Sequence, residues 1–185
     1  MVFVKKIVVL TGSPRKGGNT DKMADAFIDE ASKLGFETKK IETAFLNVAG
    51  CRACGCCEKS GGKCVLDDDF KAIVDALLDA DGIVFASPVY WYTFSAQIKA
   101  VIDRLYSVNR TPGKLRGKKA ALISACADDG ADTFDGIRFS FERSLKLLGA
   151  EIAGCVLVPN VWSIGDIEKT NGIAQARTLA HKFLR

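Results

Sequence analysis

Apolar residues alternate along the chain between two patterns, short continuous runs and longer stretches with a helical period. The continuous runs predict strands at residues 7–10, 83–86, 120–124 and 152–158, and residues 38–42 are expected to form a short edge strand. Helical spacing follows each predicted strand, near residues 23–34, 70–78, 95–106, 137–148 and 173–183. Strands that alternate with helices predict an α/β fold of three layers, with one parallel sheet, right-handed crossovers and helices on both faces.

Residues 50–66, which we call the cysteine loop, break this alternation. They hold five of the seven cysteines and are expected to form an inserted loop between the second strand and the second helix. The three aspartates at 67–69 suit the positive end of that second helix. Because the sequence has no internal repeat, low-complexity tract or linker, residues 1–185 are expected to form a single domain.

Charge and hydropathy narrow the choice of partners. The net charge of +4 arises from 26 basic and 22 acidic residues that are interspersed, so no nucleic acid partner is expected. No apolar run approaches the roughly 20 residues that span a bilayer, which predicts no membrane association. The first apolar run is too short for a signal peptide and lacks a small-residue cleavage site, so we expect a cytoplasmic protein.

The sequence TGSPRKGGNT at residues 11–20, the glycine-rich loop, joins the first strand to the first helix. Such a turn points backbone N–H groups and a positive helix end at an anion. Gly18 and Asn19 occupy the positions where a nucleotide triphosphatase loop needs Lys and Ser/Thr, and the dinucleotide fingerprint is absent. The polar groups instead suit a terminal monophosphate: Ser13, Arg15, Asn19 and Thr20. The alternative is a polar turn in which Asn19 or Thr20 caps the helix.

The sequence SPVYWYTFS at residues 87–95, the aromatic loop, follows the third strand and has four aromatics within five positions. Ligands of open α/β sheets bind at the carboxyl ends of the strands, where the strand order reverses. A flat amphipathic ring system would find a stacking surface and backbone hydrogen bonds there. The alternative is that these rings pack a crevice or a subunit interface.

Together, the motifs resemble those of the flavodoxin-like NAD(P)H-dependent FMN reductases, which include the multimeric flavodoxins and the iron–sulfur flavoproteins. The resemblance covers about two thirds of the chain. It rests on Gly12-Ser13-Pro14-Arg15, Asn19-Thr20, the cysteine loop with Asp67-Asp68-Asp69, Ser87-Pro88-Val89-Tyr90, Ser95-Ala96-Gln97-Ile98-Lys99 and Ile102-Asp103-Arg104.

The resemblance implies a flavodoxin-like sandwich with strand order 2-1-3-4-5, and FMN as the cofactor. The FMN phosphate would lie against Ser13, Arg15, Gly18, Asn19 and Thr20. The isoalloxazine would lie against Pro88, Val89, Tyr90 and Trp91, with a third wall from Ala125 to Asp128. NAD(P)H would be the electron donor, and a homodimer or homotetramer would complete the pocket. No catalytic side chain is required, because the chemistry belongs to the cofactor.

The cysteine loop reads C-x2-C-x2-C-x6-C, with Cys56 left over. Two-residue gaps let successive thiolates converge on one cluster, as in bacterial ferredoxins. By resemblance to the iron–sulfur flavoproteins, Cys51, Cys54, Cys57 and Cys64 would ligate a [4Fe–4S] cluster. The alternatives are free or redox-active thiols and a zinc site. Cys126 and Cys155 are expected to be small core residues.

Three functions remain open from the sequence. The first is an FMN-dependent oxidoreductase that accepts hydride from NAD(P)H and reduces flavin, a quinone or another small acceptor. The second is an iron–sulfur flavoprotein electron carrier that receives electrons from a protein donor such as ferredoxin. The third is a ligand-binding module without redox turnover, because fold alone does not fix function. His181, the only histidine, is expected at the surface.

Overall fold

The computed structural model describes residues 5–110 and 115–184. The strands are β1 (Lys6–Thr11), β2 (Glu37–Glu42), β3 (Gly82–Tyr90), β4 (Thr93–Phe94), β5 (Lys119–Ala125) and β6 (Glu151–Val158). The helices are α1 (Asn19–Lys33), α2 (Cys56–Lys59), α3 (Phe70–Asp79), α4 (Ala96–Arg104), α5 (Tyr106–Asn109), α6 (Asp135–Leu147) and α7 (Gly172–Ala180). Single 3₁₀ turns occupy Thr43–Phe45, Asp166–Lys169 and His181–Phe183.

The five long strands form one parallel sheet in the order β2-β1-β3-β5-β6. Counted over the parallel strands alone, this is the predicted order 2-1-3-4-5, so the flavodoxin-like fold is confirmed. The short strand β4, which the sequence analysis did not predict, folds back antiparallel on the end of β3. The order reverses between β1 and β3, so their carboxyl ends flank the crevice where such folds bind ligands.

Helices cover the sheet on both faces because the central strands are apolar on both faces. Residues of β1 illustrate this: Val9 belongs to the buried cluster that contains residues of α1 and α7, whereas Leu10 belongs to the buried cluster that contains residues of α3, α4 and α6. Both side chains are fully buried. This double covering fixes the strand ends, and so it fixes the loops that follow them.

Some predicted element boundaries differ from the structure. The helix predicted over residues 95–106 ends at Arg104, and a separate short helix, α5, follows. Gly35, with φ of 88°, directly follows Leu34, the C-cap of α1, and so ends the first helix as predicted. The predicted cap is wrong: Gly18 is the N-cap of α1, and no side chain caps it. Asn19 is the first helical residue, and its side chain binds another loop. None of the helices in residues 5–110 and 115–184 combines the length and the apolar character that a membrane span requires.

Candidate functional site

A cavity of about 760 Å³ lies at the carboxyl ends of β1, β3 and β5. Its volume is within the range of small-molecule and cofactor sites, about 300–1,000 Å³. It is lined by Ser13, Arg15, Gly18, Asn19, Thr20, Pro88, Val89, Tyr90, Trp91, Ala125, Cys126, Ala127, Val161, Trp162 and Ile164. The structure therefore brings together every predicted cofactor-binding residue except Asp128.

The glycine-rich loop closes one end of this cavity as a compact turn. The Ser13 hydroxyl accepts a hydrogen bond from the Arg15 N–H at 3.2 Å, and the Gly18 N–H donates to the Arg15 carbonyl at 3.0 Å. Helix α1 begins directly afterwards, so its unpaired N–H groups belong to the same end of the cavity. The Arg15 guanidinium is exposed and makes no hydrogen bond or ion pair with residues 5–110 or 115–184. A cation and a helix N-terminus in one place favour an anion.

The glycine-rich loop and the aromatic loop are joined by a buried contact. The Ser95 hydroxyl donates to the Gly12 carbonyl at 2.6 Å, and the Ser95 N–H donates to the Ser87 hydroxyl at 3.1 Å. A Cβ on Gly12 would lie 2.6 Å from the Ser95 oxygen and 2.8 Å from Ile98. Only glycine fits this close approach, so the two loops hold one relative position.

The aromatic loop contains a two-residue hairpin turn between β3 and β4. Val89 pairs with Phe94, and Tyr90 pairs with Thr93, which leaves Trp91 and Tyr92 as the turn. Both turn residues have positive φ, 49° and 63°, a conformation in which bulky side chains are rare. Trp91 is 93% exposed although it lines the cavity. The hairpin therefore holds a tryptophan in water at the mouth of the cavity.

Residues 125–127 form the third wall, whereas Asp128 does not line the cavity. The Asp128 carboxylate instead accepts hydrogen bonds from the Gly130 N–H and the Thr133 hydroxyl, each at 3.1 Å. These bonds, the Gly130 N–H first, lower the Asp128 pKa. Cys126 does line the cavity, and burial raises the pKa of its thiol. Asp128 shapes the turn behind this wall.

A fourth wall, which the sequence analysis missed, comes from the loop after β6. It contributes Val161, Trp162 and Ile164. The Asn19 side chain binds this loop at three backbone positions: its amide donates to the Ser163 carbonyl at 3.0 Å, and its oxygen accepts the N–H groups of Gly165 and Ile167. The sequence did contain a signal for this wall. The last predicted strand, β6, ends at the same sheet edge as the other parallel strands, so the loop after it faces the same crevice.

A second cavity, of about 520 Å³, lies between the cysteine loop and the α4–α5 region. Cys51, Cys54, Cys57 and Cys64 all line it, whereas Cys56 does not. All seven cysteines are free thiols. Within residues 5–110 and 115–184, no three His, Cys, Asp or Glu side chains are close enough to hold one metal ion. The structure gathers the four predicted ligands around one space and leaves out the cysteine that the spacing left over.

A buried ion pair underlies the second cavity. Arg104 and Asp68, whose side chains are 1% and 6% exposed, approach to 2.5 Å. Burial alone would raise the Asp68 pKa, but hydrogen bonds from Arg104 and from the N–H groups of Ala49 and Phe70 lower it. The sequence predicted only that Asp68 places a negative charge at the start of the second helix. The structure shows that Asp68 also forms a buried ion pair.

The sequence also predicted where His181, Cys126 and Cys155 would lie. His181 is half exposed and lies 3.1 Å from a Glu30 carboxylate oxygen, so it is at the surface as predicted. Cys126 is buried, but Cys155 is only partly buried. Burial nevertheless raises the Cys155 pKa.

The family model described as NADPH-dependent FMN reductase matches residues 5–166. An iron-sulfur flavoprotein of Methanosarcina thermophila is 40% identical over 119 residues, which are 64% of this chain and 62% of that protein. An iron-sulfur flavoprotein of Archaeoglobus fulgidus is 37% identical over 160 residues, which are 86% of this chain and 68% of that protein. The match thus covers less than two thirds of the length of the Methanosarcina protein and slightly more than two thirds of the length of the Archaeoglobus protein.

Solved structures support the fold. The apo form of the NADH:FMN oxidoreductase EMOB matches with a TM-score of 0.69 at 19% identity, over 97% of this chain and 88% of that one. An NAD(P)H:quinone oxidoreductase from Methanothermobacter marburgensis matches with a TM-score of 0.73 at 15% identity, over 99% and 98%. Since the family model matches most of the sequence, the chain belongs to the NADPH-dependent FMN reductase family, and its predicted family is confirmed.

Proposed function

We propose that the chain is an oxidoreductase that binds FMN in the 760 Å³ cavity, accepts hydride from NAD(P)H and reduces flavin, a quinone or another small acceptor. One observation carries this proposal: the cavity has an anion-binding end, at Arg15 and the start of α1, and an aromatic end, at Tyr90 and Trp91. A flavin mononucleotide has the same two parts, a phosphate and a flat ring system. When bound, FMN supplies hydride acceptance and single-electron transfer.

The residues at the anion-binding end fit a phosphate. A Cβ on Gly18 would lie 2.9 Å from the Arg15 carbonyl and 3.4 Å from the Ser13 hydroxyl, so the cradle requires glycine. The Arg15 guanidinium has no partner among the described residues and is available for a charge-assisted hydrogen bond. Asn19 would act differently from the sequence prediction, because its side chain already holds the fourth wall.

The open end of the cavity supports a small acceptor. Trp91 and Trp162, which line the cavity from different walls, are both largely exposed. Exposed aromatic faces can stack against a second flat molecule, such as a nicotinamide or a quinone. The same surface would suit a second copy of the chain, so we propose a homodimer or homotetramer that covers the mouth. Seven free thiols suit the reducing cytoplasm, where we place the protein.

The test is an FMN titration of protein stripped of cofactor, comparing wild type with Arg15→Ala. Loss of one charge-assisted hydrogen bond, worth about 1.5–3 kcal/mol, should weaken FMN binding about 10- to 150-fold. Arg116→Ala, at an exposed arginine away from the cavity, should bind as wild type. Equal FMN affinity in Arg15→Ala and wild type would reject the phosphate assignment. FMN-loaded wild-type protein that oxidises neither NADH nor NADPH would reject the hydride-accepting function.

A second candidate function adds a [4Fe–4S] cluster at the cysteine loop, as in an electron carrier that a protein donor such as ferredoxin reduces. The supporting observation is that Cys51, Cys54, Cys57 and Cys64 surround one cavity while Cys56 lies outside it. Thiolates are the ligands that such clusters require. The names of the Methanosarcina and Archaeoglobus relatives agree with this candidate.

Iron and sulfide analysis of protein purified without oxygen separates the two candidates. The carrier should hold about four irons per chain and show a broad absorbance near 400 nm. Cys57→Ser should lose the iron, and Cys56→Ser should keep it. If the wild-type protein holds no iron and NADPH promptly reduces its flavin, the carrier is rejected and the oxidoreductase is the candidate that stands. Iron retained by Cys57→Ser and lost by Cys56→Ser would reject the assigned ligand set.

A further inference from the structure

Arg104 is a buried cation at the base of the cysteine loop. It ends helix α4 and is 2% exposed. Its guanidinium donates to the Asp68 carboxylate at 2.5 Å, to the Ala49 carbonyl at 3.2 Å and to the Cys64 sulfur at 3.2 Å. It also lies 4.1 Å from the centre of the Phe70 ring. The Arg104 side chain thus contacts Ala49, before the predicted ligands, and Asp68, after them. It also contacts one predicted ligand, Cys64, directly.

The two ends of the cysteine loop are fastened at this point. Asp68 accepts the Ala49 N–H at 3.0 Å, and Asp69 accepts the Asn47 N–H at 2.7 Å. The segments before Cys51 and after Cys64 are therefore held side by side against α4. Arg104 spans this junction, because it binds Ala49 on one segment and Cys64 and Asp68 on the other.

Stability alone is a weak explanation for a cation in this position. Buried ion pairs can often be replaced by apolar side chains with no loss of stability. Arg104 also leaves its Nε buried without a hydrogen-bond partner in the described structure, which is unfavourable. What an apolar side chain could not provide is a charged N–H donor to a cysteine sulfur.

We infer that Arg104 is a positioning residue for the iron–sulfur centre, which it serves by hydrogen bonding to the Cys64 sulfur. This inference rests on the second candidate function. Reduction adds one electron to the cluster, from a one-electron donor such as a reduced flavin, and no bond forms or breaks. Charge then builds up on the sulfurs, so a cationic donor at Cys64 stabilises the reduced form more than the oxidised form. Arg104 thereby raises the reduction potential.

Two conservative variants should shift the potential in opposite directions. Arg104→Lys keeps the charge but has a single nitrogen, which Asp68 should engage, so the sulfur loses its donor and the potential should become more negative. Asp68→Asn removes a negative charge beside Arg104, so the potential should become more positive. Arg143→Gln removes an exposed positive charge on α6 and is the control, with a wild-type potential expected.

The measurement is a dithionite titration of the anaerobically purified holoprotein, followed by electron paramagnetic resonance of the reduced cluster. Opposite shifts in Arg104→Lys and Asp68→Asn support the inference; if one of them does not fold, the sign of the other decides. A wild-type potential in a folded, iron-replete Arg104→Lys protein would overturn the role of Arg104 alone. Wild-type protein without iron and sulfide would overturn the cluster itself, and this inference with it.

Discussion

Single residues in this chain are constrained by close approaches that side chains would prevent. Gly18 is buried at the N-cap of α1, where the backbone turns from the glycine-rich loop into the helix. Its φ of −69° is open to any residue, so the constraint is space and not backbone conformation. The nearest atoms to an added Cβ belong to Arg15 and Ser13, the residues proposed to hold the phosphate.

Gly18→Ala should therefore weaken FMN binding without unfolding the protein. The added methyl group would lie 2.9 Å from the Arg15 carbonyl, which is backbone and must shift. We expect roughly a 10-fold loss of affinity, or about 1.4 kcal/mol, in a fluorescence titration. Gly50→Ala is the matched control, because a Cβ there meets nothing within 4 Å. Wild-type affinity in Gly18→Ala would show that the loop does not contact the cofactor.

The lowered pKa of Asp68 predicts that the free energy of unfolding decreases in acid. Its pKa is lowered in the folded protein, so its ion pair contributes fully above the unfolded carboxyl pKa of about 3.9. That contribution is lost as the pH falls through the lower folded pKa. Asp68→Asn should lower the free energy of unfolding by about 3 kcal/mol at pH 7, and the gap from wild type should narrow below about pH 4. Urea unfolding from pH 7 to pH 2.5 measures it, with the exposed Asp129→Asn as control. A gap that stays constant with pH would contradict the prediction.

At the scale of elements, the hairpin between β3 and β4 stores strain at the mouth of the cavity. A two-residue turn with positive φ at both positions normally uses Asn-Gly. Here the positions hold Trp91 and Tyr92, and each bulky residue in this conformation costs about 1–2 kcal/mol. Both side chains are largely exposed, so burial does not offset that cost. Strain of this kind is characteristic of functional sites.

Replacing the turn by Asn-Gly, as Trp91→Asn with Tyr92→Gly, should stabilise the protein and impair the site. Relief of two strained positions, at about 1–2 kcal/mol each, should raise the free energy of unfolding by about 2–4 kcal/mol. Loss of the tryptophan should slow oxidation of NADPH by the loaded protein. Thermal unfolding and stopped-flow absorbance measure the two effects. Trp162→Asn, an exposed position outside the turn, should not gain stability. A stability gain without any change in rate would mean that the turn is strained for another reason.

The sequence predicted elements better than it predicted their contacts. The apolar runs located four of the five parallel strands, because a buried parallel strand is apolar on both faces. The fifth, β2, is a polar strand at the edge of the sheet, and it has no such run. Strand β4 was missed because Thr93 and Phe94 are too few to show a period. Asn19 was predicted to face a phosphate, yet its bonds reach residues 144–148 positions away. Sequence spacing carries no information about such distant partners.

At the scale of the molecule, two cavities with different chemistry lie on the same sheet framework. One is lined by strand ends and loops with polar and aromatic groups, and the other by four thiols and a buried cation. The glycine-rich and aromatic loops were predictable because both follow apolar strands at one sheet edge. The fourth wall at Trp162 and the proposed role of Arg104 depend on packing between distant segments, which only the structure contains.

The two cavities share no lining residue, so the two proposed cofactor sites should respond to mutation independently. Changes at separate sites without common partners usually add within about 0.3–0.5 kcal/mol. Cys57→Ser should therefore leave the FMN dissociation constant within about twofold of wild type, and Arg15→Ala should leave the iron content unchanged. The double variant should show both losses at their single-variant size. Calorimetric FMN titration and iron analysis on the four proteins measure this. If Cys57→Ser also releases FMN, a change in the cysteine loop must reach the glycine-rich loop through the segment that precedes it. Phe45 lies in that segment, and the Lys16 ammonium is 4.6 Å from the centre of its ring, so Phe45→Ala would then test this connection.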